Sequence, residues 1–540
     1  MANDMGAILA APVERGSAIP TDRRALVLAI MVSFGGFVFG LDAALISGTV
    51  RYIMQQFDLD AIQLGAIVSA PGFGVIFALL ATGYVCDRLG RRKTLLIIGS
   101  LYLLSAVASV LSQSFVQLTA ARFLGGLAFA SLSVSSMYVG EIAPPARRGR
   151  LVAINQLNIV LGLFAAYLLN YLIQGWASSE WAPQLGLDRY TWQWMLGMQI
   201  PPAILWIALL WRIPESPRWL MLKGERERAR SVLCRLMPES AVPEALREIE
   251  GTLDKGRTET RSASTAQQLR HMFQPALRRA TVVGVVIAAV QPTTGINAIM
   301  FYAPHVFEQL GVGVDASFLQ SVLIGVVSVL ATALALGLID RLGRKTLLVI
   351  GLGTAAVSLA ACAIGFAMAT YRIEAPAVEV LPATIDRTAL ASLVGRTFAN
   401  DVELKSELSA ALGRSVAHVH QAELMQAATH INVWLVLGGI MAFIAAFQFS
   451  IGPIMWVILS EIFPTDVRGV AIPACALITS VLSYLVQQFF PWQLATWGAV
   501  AIFVSYAASV LIGLAVLVRL LPETKGRSIE QIATEMRGAH

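Results

Sequence analysis

Residues 87–94 read DRLGRRKT, and residues 340–346 read DRLGRKT. Each is an acid, a basic residue, a Leu-Gly turn and a run of basic residues, and the two copies stand 340 − 87 = 253 positions apart. What surrounds them decides how they are read. The chain is 56% hydrophobic and 14% charged over 540 residues, with a mean hydropathy of +0.68, whereas soluble domains carry about 25% charged residues. This is the composition of a membrane protein. Apolar stretches of the roughly 20 residues that cross a bilayer fall at 25–50, 62–85, 94–113, 116–139, 151–175 and 192–213, then at 279–303, 316–339, 346–370, 431–460, 469–491 and 496–520. The first copy closes the second stretch and the second copy closes the eighth.

Other echoes show that the halves are repeats. Glu141 to Arg148-Gly149 keeps the spacing of Glu461 to Arg468-Gly469, at an offset of 461 − 141 = 320, and Pro214-Glu215-Ser216 matches Pro522-Glu523-Thr524. The offset grows by 320 − 253 = 67, so a segment of about that length entered the second half, and the polar stretch 371–430 is the candidate. The expected fold is all-α and polytopic: twelve transmembrane helices in two six-helix bundles, 25–213 and 279–520. A polar linker, 214–278, joins them, the insert 371–430 interrupts the second, and tails 1–24 and 521–540 flank them.

Orientation follows from the excess of Lys and Arg in alternate short loops. One set holds Arg88, Arg91, Arg92, Lys93, Arg147, Arg148, Arg150, Arg341, Arg344, Lys345 and Arg468; the other offers Arg51 and Arg189. The basic set is expected to be cytoplasmic, and with an even number of spans both termini as well. No cleavable signal peptide is expected, because residues 1–22 lack an apolar core of their own. The net charge of +6 reflects the loop bias and implies no nucleic-acid partner. Cys86, Cys362 and Cys475 fall in or at spans and Cys234 in the linker, so no disulfide is expected.

Parallel six-span repeats with a site between them near the midplane are a common build for secondary transporters. DRLGRRK and DRLGRK, RFLGG with MYVGEIAPPARRG, PESPRWL, QPTTGIN, GPIMWVILSEIFP and PETKG occur in that order. On these motifs the chain resembles the sugar porter family of the major facilitator superfamily over nearly its whole length outside 371–430. The resemblance implies the major facilitator fold and a small-molecule sugar or polyol as substrate. It also implies a cytoplasmic ion-pair belt between the halves, built from Asp87, Arg88, Arg91, Glu141 and Arg148 and from Asp340, Arg341, Arg344, Glu461 and Arg468. The belt would hold the outward-open state and break when the cytoplasmic side opens. Surface pairs contribute under ~1 kcal/mol each, so only a network would bias the equilibrium. The linker resembles the family's cytoplasmic helical domain, expected to brace the halves.

The stretch GFVFGLDAALISG, residues 36–48, places Asp42 inside the first apolar run. A charge at membrane depth costs at least ~2.5–3.5 kcal/mol, so it is expected to face the bundle interior beside a partner. Asp42 lies ~25 Å up the first span and Arg122 about 10 Å below the outer surface on the fourth, similar heights in a core about 30 Å thick. A carboxylate beside an Arg, in a cavity whose solvation alternates, meets the requirement for proton coupling; the alternative is a static pair that fixes helix packing. The resemblance implies that Asp42 is the proton acceptor and that Arg122 tunes it.

A substrate site needs polar side chains from several spans at mid-depth and an aromatic face. Gln156, Gln291 and Asn297 are amides in apolar spans, and Trp456 follows a Gly452-Pro453 break expected to open the tenth helix. The alternative for each amide is helix-to-helix bonding. The resemblance implies that these four contact sugar, with Phe39 as a lining aromatic. The chain departs from the family at Pro292, Phe301, Ser328 (for Asn), and Thr479 with Ser480 (for an amide-Trp pair), which allows a larger or less hydroxylated ligand than a common hexose; Ser328 and Thr479 are counted with the site.

In the insert, Asn400 to Leu412 has an Asn/Asp start, early Glu and apolar Leu404, Leu408 and Leu412, so a short amphipathic helix is expected. The role of the insert does not follow from sequence. His418, His420 and His430 are spaced unlike a structural metal site and are read as solvated, with no metal expected. No Asn-x-Ser/Thr sequon occurs, which favours a bacterial inner membrane. The reading is a monomeric plasma-membrane symporter of protons with a sugar or sugar alcohol, without cofactor, driven by the proton gradient. A uniporter lacking coupling and a non-transporting nutrient receptor are the alternatives; no nucleophile, metal or nucleotide motif suggests an enzyme.

Overall fold

The computed structural model describes residues 21–143, 148–260, 270–275, 277–382, 384–413, 416–417, 420–525, 527, 531–532 and 535–536. Among them, twelve helices are long and apolar enough to cross a bilayer. Spans 1 to 6 are Arg24–Phe57, Ala61–Leu89, Arg91–Val110, Phe115–Ile142, Ile154–Ala177 and Thr191–Leu210. Spans 7 to 12 are Arg278–Phe301, Val314–Ile339, Arg344–Ala367, Val433–Ile462, Val467–Thr496 and Gly498–Leu520. Span 1 runs past the expected end at 50, and in the added turns Arg51 and Tyr52 hydrogen-bond to Glu423 and Gln174.

Several spans are broken. In span 10 the helix stops at Phe449 and restarts at Ile451, with Ser450 between them at φ −126° and ψ −99°. The break thus lies before the expected Gly452-Pro453. A proline ring clashes with the carbonyl four residues back, and four back from Pro453 is Phe449, which sets the position. Span 7 breaks between Thr293 and Ile296, where Gly295 has φ +82°. A Cβ at Gly295 would lie 2.2 Å from the Tyr506 ring, so only glycine fits.

The repeated turns have a shared structural purpose. Gly90 and Gly343 take φ of +89° and +90°, a conformation open to glycine. Neither caps the helix that follows it with a side chain. Glu215, just after span 6, accepts the Arg91 and Arg92 N–H groups at 2.8 and 3.1 Å. Glu523, just after span 12, accepts the Arg344 N–H at 3.0 Å. Each PES or PET motif therefore caps the third helix of its own half, where a carboxylate also meets the positive end of the helix dipole.

The linker forms helices Pro217–Leu222, Arg226–Leu236 and Val242–Thr260 around Leu220, Leu233 and Leu246. It touches the first half through Trp219 Nε1, which donates to the Asp87 carbonyl. The insert folds round a core of its own that includes Tyr371, Phe398, Leu404 and Leu424. Its helix Asp401–Leu412 is capped by Asn400, whose side chain accepts the Glu403 N–H at 2.8 Å. It also contains a second helix, Gln421–Ala428, and an antiparallel sheet. The sheet has β1 (Thr370–Arg372) between β2 (Thr397–Phe398) and β3 (Thr429–His430).

Candidate functional site

Asp42 on span 1 and Arg122 on span 4 meet in the interior of the first half. Arg122 Nη1 donates to Asp42 Oδ1 at 2.5 Å, and the side chains are 3% and 1% exposed, so the pair is sealed. Gly125, from RFLGG, keeps the space: a Cβ there would lie 2.7 Å from Ser105 Oγ and 4.0 Å from Asp42 Oδ2. One carboxylate oxygen is taken by the guanidinium, and the other, Oδ2, has no hydrogen-bond partner among the described residues. Gln199, buried on span 6, faces the Asp42 carboxylate. Sequence reasoning passed over it, although an amide in an apolar span is the signal that singled out Gln156.

The substrate candidates sit on spans 1, 5, 7, 8, 10 and 11. Gln156, Gln291 and Asn297 are each half-buried. An amide within a span can remain half-open only toward a wet cavity, because lipid offers it no hydrogen bonds. The Gln291 Oε1 has no partner among the described residues, whereas Asn297 Nδ2 donates to Ser483 Oγ at 2.6 Å and Gln487 Nε2 donates to the same hydroxyl at 2.8 Å. Ser483 and Gln487 extend the polar cluster along span 11 and were not singled out from sequence. Trp456 is 45% exposed just past the span 10 break. Phe39 packs edge-on against Phe129. Ser328 is fully buried with an unpartnered hydroxyl, and Thr479 donates to the Ala288 carbonyl, so its proton is already committed.

In this structure the described belt residues pair within the halves, whereas the expected belt between the halves belongs to the outward-open state. Arg91 binds Glu141 through Nη2 at 2.9 Å and Nε at 3.1 Å, both side chains nearly buried, and Ser216 Oγ also donates to Glu141. Asp87 is exposed and 3.5 Å from Arg91. Arg88 reaches Tyr84, and Arg344 reaches Glu461 at 3.2 Å. Arg468 caps the Phe463 carbonyl, and the Arg341 carbonyl accepts from Lys525. The side chains of Arg148 and Asp340, like residue His418, lie outside the described residues. Glu141 and Glu461 each find a cation one helix away in their own repeat. Outside the spans, His420 meets Thr384 and His430 stands 3.9 Å from Glu374.

Contacts between the halves gather at the end away from the basic loops. Among the described residues, four hydrogen bonds cross from one half to the other. Arg51 donates to Glu423 at 2.8 Å, Ser69 to Gln488 at 2.8 Å, Gln488 to the Ile62 carbonyl at 3.0 Å, and Tyr167 to the Met300 carbonyl at 2.6 Å.

Twelve spans in two repeats, a sealed ion pair in one half and half-open amides between them define a membrane carrier. Comparison with known proteins gives the family. A family model described as "Sugar (and other) transporter" matches residues 28–382 and 410–536. The arabinose-proton symporter of Bacillus subtilis (strain 168) is 30% identical over 508 residues, covering 94% of each chain. The D-xylose-proton symporter of Escherichia coli (strain K12) is 28% identical over 538 residues, covering 94% of each. The solved inward open conformation of the xylose transporter XylE from E. coli superposes with a TM-score of 0.71 at 26% identity, covering 95% of this chain and 99% of that one. The chain belongs to the sugar transporter family, and it is a transporter rather than an enzyme.

Proposed function

We propose that the protein is a proton-coupled symporter of a sugar or sugar alcohol that works by alternating access. The observation that carries this reading is the sealed Asp42–Arg122 pair with one carboxylate oxygen unpartnered. The relatives that are named arabinose-proton and D-xylose-proton symporters support it. The basic loops face the cytoplasm of a bacterial cell, with the insert outside, and the proton gradient drives uptake without a cofactor. With its cross-half bonds gathered at the insert end, the molecule is in an inward-facing state.

The substrate lies between the halves. Gln156, Gln291 and Asn297 present polar atoms to its hydroxyls, Thr479 offers an acceptor, and Trp456 and Phe39 cover its apolar ring face, whereas Ser328, fully buried in this state, would reach it only after a movement of span 8. Losing a Gln at Pro292 and a hydroxyl at Phe301 removes polar partners, which disfavours the most hydroxylated hexoses. The test is counterflow of radiolabelled pentoses, hexoses and polyols in proteoliposomes, followed by uptake under an imposed pH gradient. Accumulation of one of them above its external concentration supports the reading. Uptake that only equilibrates, whatever the pH gradient, rejects coupling.

A further inference from the structure

The insert is built onto the second half. Strands β1 and β3 adjoin the ends of spans 9 and 10. Asp401 lies against the start of span 12, where a Cβ on Gly498 would be 2.7 Å from its Oδ1. Helix Gln421–Ala428 packs over the turn after span 7, where a Cβ on Gly311 would be 3.2 Å from the Met425 carbonyl. These contacts attach the insert to the second half. The family model leaves residues 383–409, the middle of the insert, unmatched, while Arg51 and Glu423 both lie in matched segments.

From that platform the insert reaches the first half. Glu423 binds Arg51 at the end of span 1 at 2.8 Å, with side chains 28% and 24% exposed. Arg51 also faces the buried Glu308, another carboxylate of the second half. Beside this pair a cavity of about 370 Å³ is walled by Met54 and Leu64 of the first half, Leu424 and Met425 of the insert and Leu494 of span 11. The insert therefore spans the seam that must part for the carrier to open outward.

We propose that the insert is an extracytoplasmic clasp, in which Glu423 holds Arg51 and keeps the outer side shut until the halves rock apart. The inference rests on the alternating-access reading above. Rocking moves one half as a body against the other, and a contact made in only one state biases the equilibrium by its full free energy. Arg51 and Glu423 are positioning residues, since neither lies at the coupling pair or among the substrate amides.

The experiment uses the full chain in proteoliposomes with Cys234→Ser and spin labels on Gln113→Cys and Thr496→Cys, exposed positions at the insert end of opposite halves. Glu423→Gln and Arg51→Gln should each raise the long-distance, outward-open population roughly five-fold, the yield of one part-exposed ion pair. Arg51→Lys keeps the cation and should stay near wild type, which a purely steric role would not predict. Unchanged distances in both neutral variants, with a wild type that samples both states, would overturn the clasp alone. A wild type fixed at one distance, whatever the pH and sugar, would overturn alternating access and the clasp with it.

Discussion

Arg122 Nη1 and Asp42 Oδ1 stand 2.5 Å apart with both side chains closed off from solvent. Neither group could sit at that depth alone, since an unpaired buried charge is destabilising by several kcal/mol. Burial therefore ties each charge to the other, and a motion that parts spans 1 and 4 would leave both without a partner.

Asp42→Asn keeps the shape and an acceptor for Arg122 but cannot exchange a proton. Accumulation driven by a pH gradient should fall to the equilibrium level, while counterflow continues, because exchange does not require the empty carrier to return. Uptake and counterflow measured in the same vesicles separate the two. A variant that still concentrates sugar would make the pair structural.

Gln291→Ala removes the half-buried amide whose Oε1 has no partner among the described residues. A single substrate hydrogen bond contributes about 0.5–1.5 kcal/mol, so the apparent transport constant should rise about two- to twelve-fold at normal membrane abundance. Thr479→Val, at a hydroxyl already donating to Ala288, should have the smaller effect. Sugar titrations of initial uptake rates decide between them.

Glu141→Gln should lower the melting temperature in detergent, because Arg91 is then left buried without its counter-ion, a loss of about 3–5 kcal/mol. Asp87→Asn, at the exposed and more distant acid, should change stability by less than about 1 kcal/mol. Equal melting temperatures for the two variants would refute the assignment of Glu141 as the main partner of Arg91.

Gly295→Ala should destabilise span 7 twice over, through the left-handed backbone and through collision with Tyr506. The sum is at least about 2 kcal/mol. Adding Tyr506→Ala should relieve only the steric part, though it opens a cavity of its own. Thermal unfolding of the single and double variants, with Tyr506→Ala as the reference, measures the two contributions.

The spans were legible because a bilayer demands about 20 apolar residues at a time, and few other folds repeat that twelve times. The two repeats were legible from motif spacing. The breaks were harder. A proline in span 10 was visible, but its clash acts on Phe449, and in span 7 the requirement for glycine at 295 is reinforced by a tyrosine from span 12 that no local pattern reveals. Glu141 and Glu461 stood out as charges, yet a sequence does not say whether a carboxylate will find its cation in its own half or across the seam. The strands of the insert have two or three residues each, too few for an alternating pattern. Gln199 and Ser483 carried the right signal, a polar residue in an apolar helix, without a motif to single them out.

Glu215 and Glu523 each arrive last in their own half and reach back to the start of its third helix. During synthesis, the cytoplasmic end of the first bundle does not have to wait for the second half: once Glu215 and Ser216 have left the ribosome, the partners of Arg91, Arg92 and Glu141 are all present. Domains of a nascent chain fold as units from the N-terminus, and this closing carboxylate marks where the first unit is complete. The second has a matching terminus at Glu523, so a truncation just before residue 522 should leave the first bundle intact and the second with an uncapped helix.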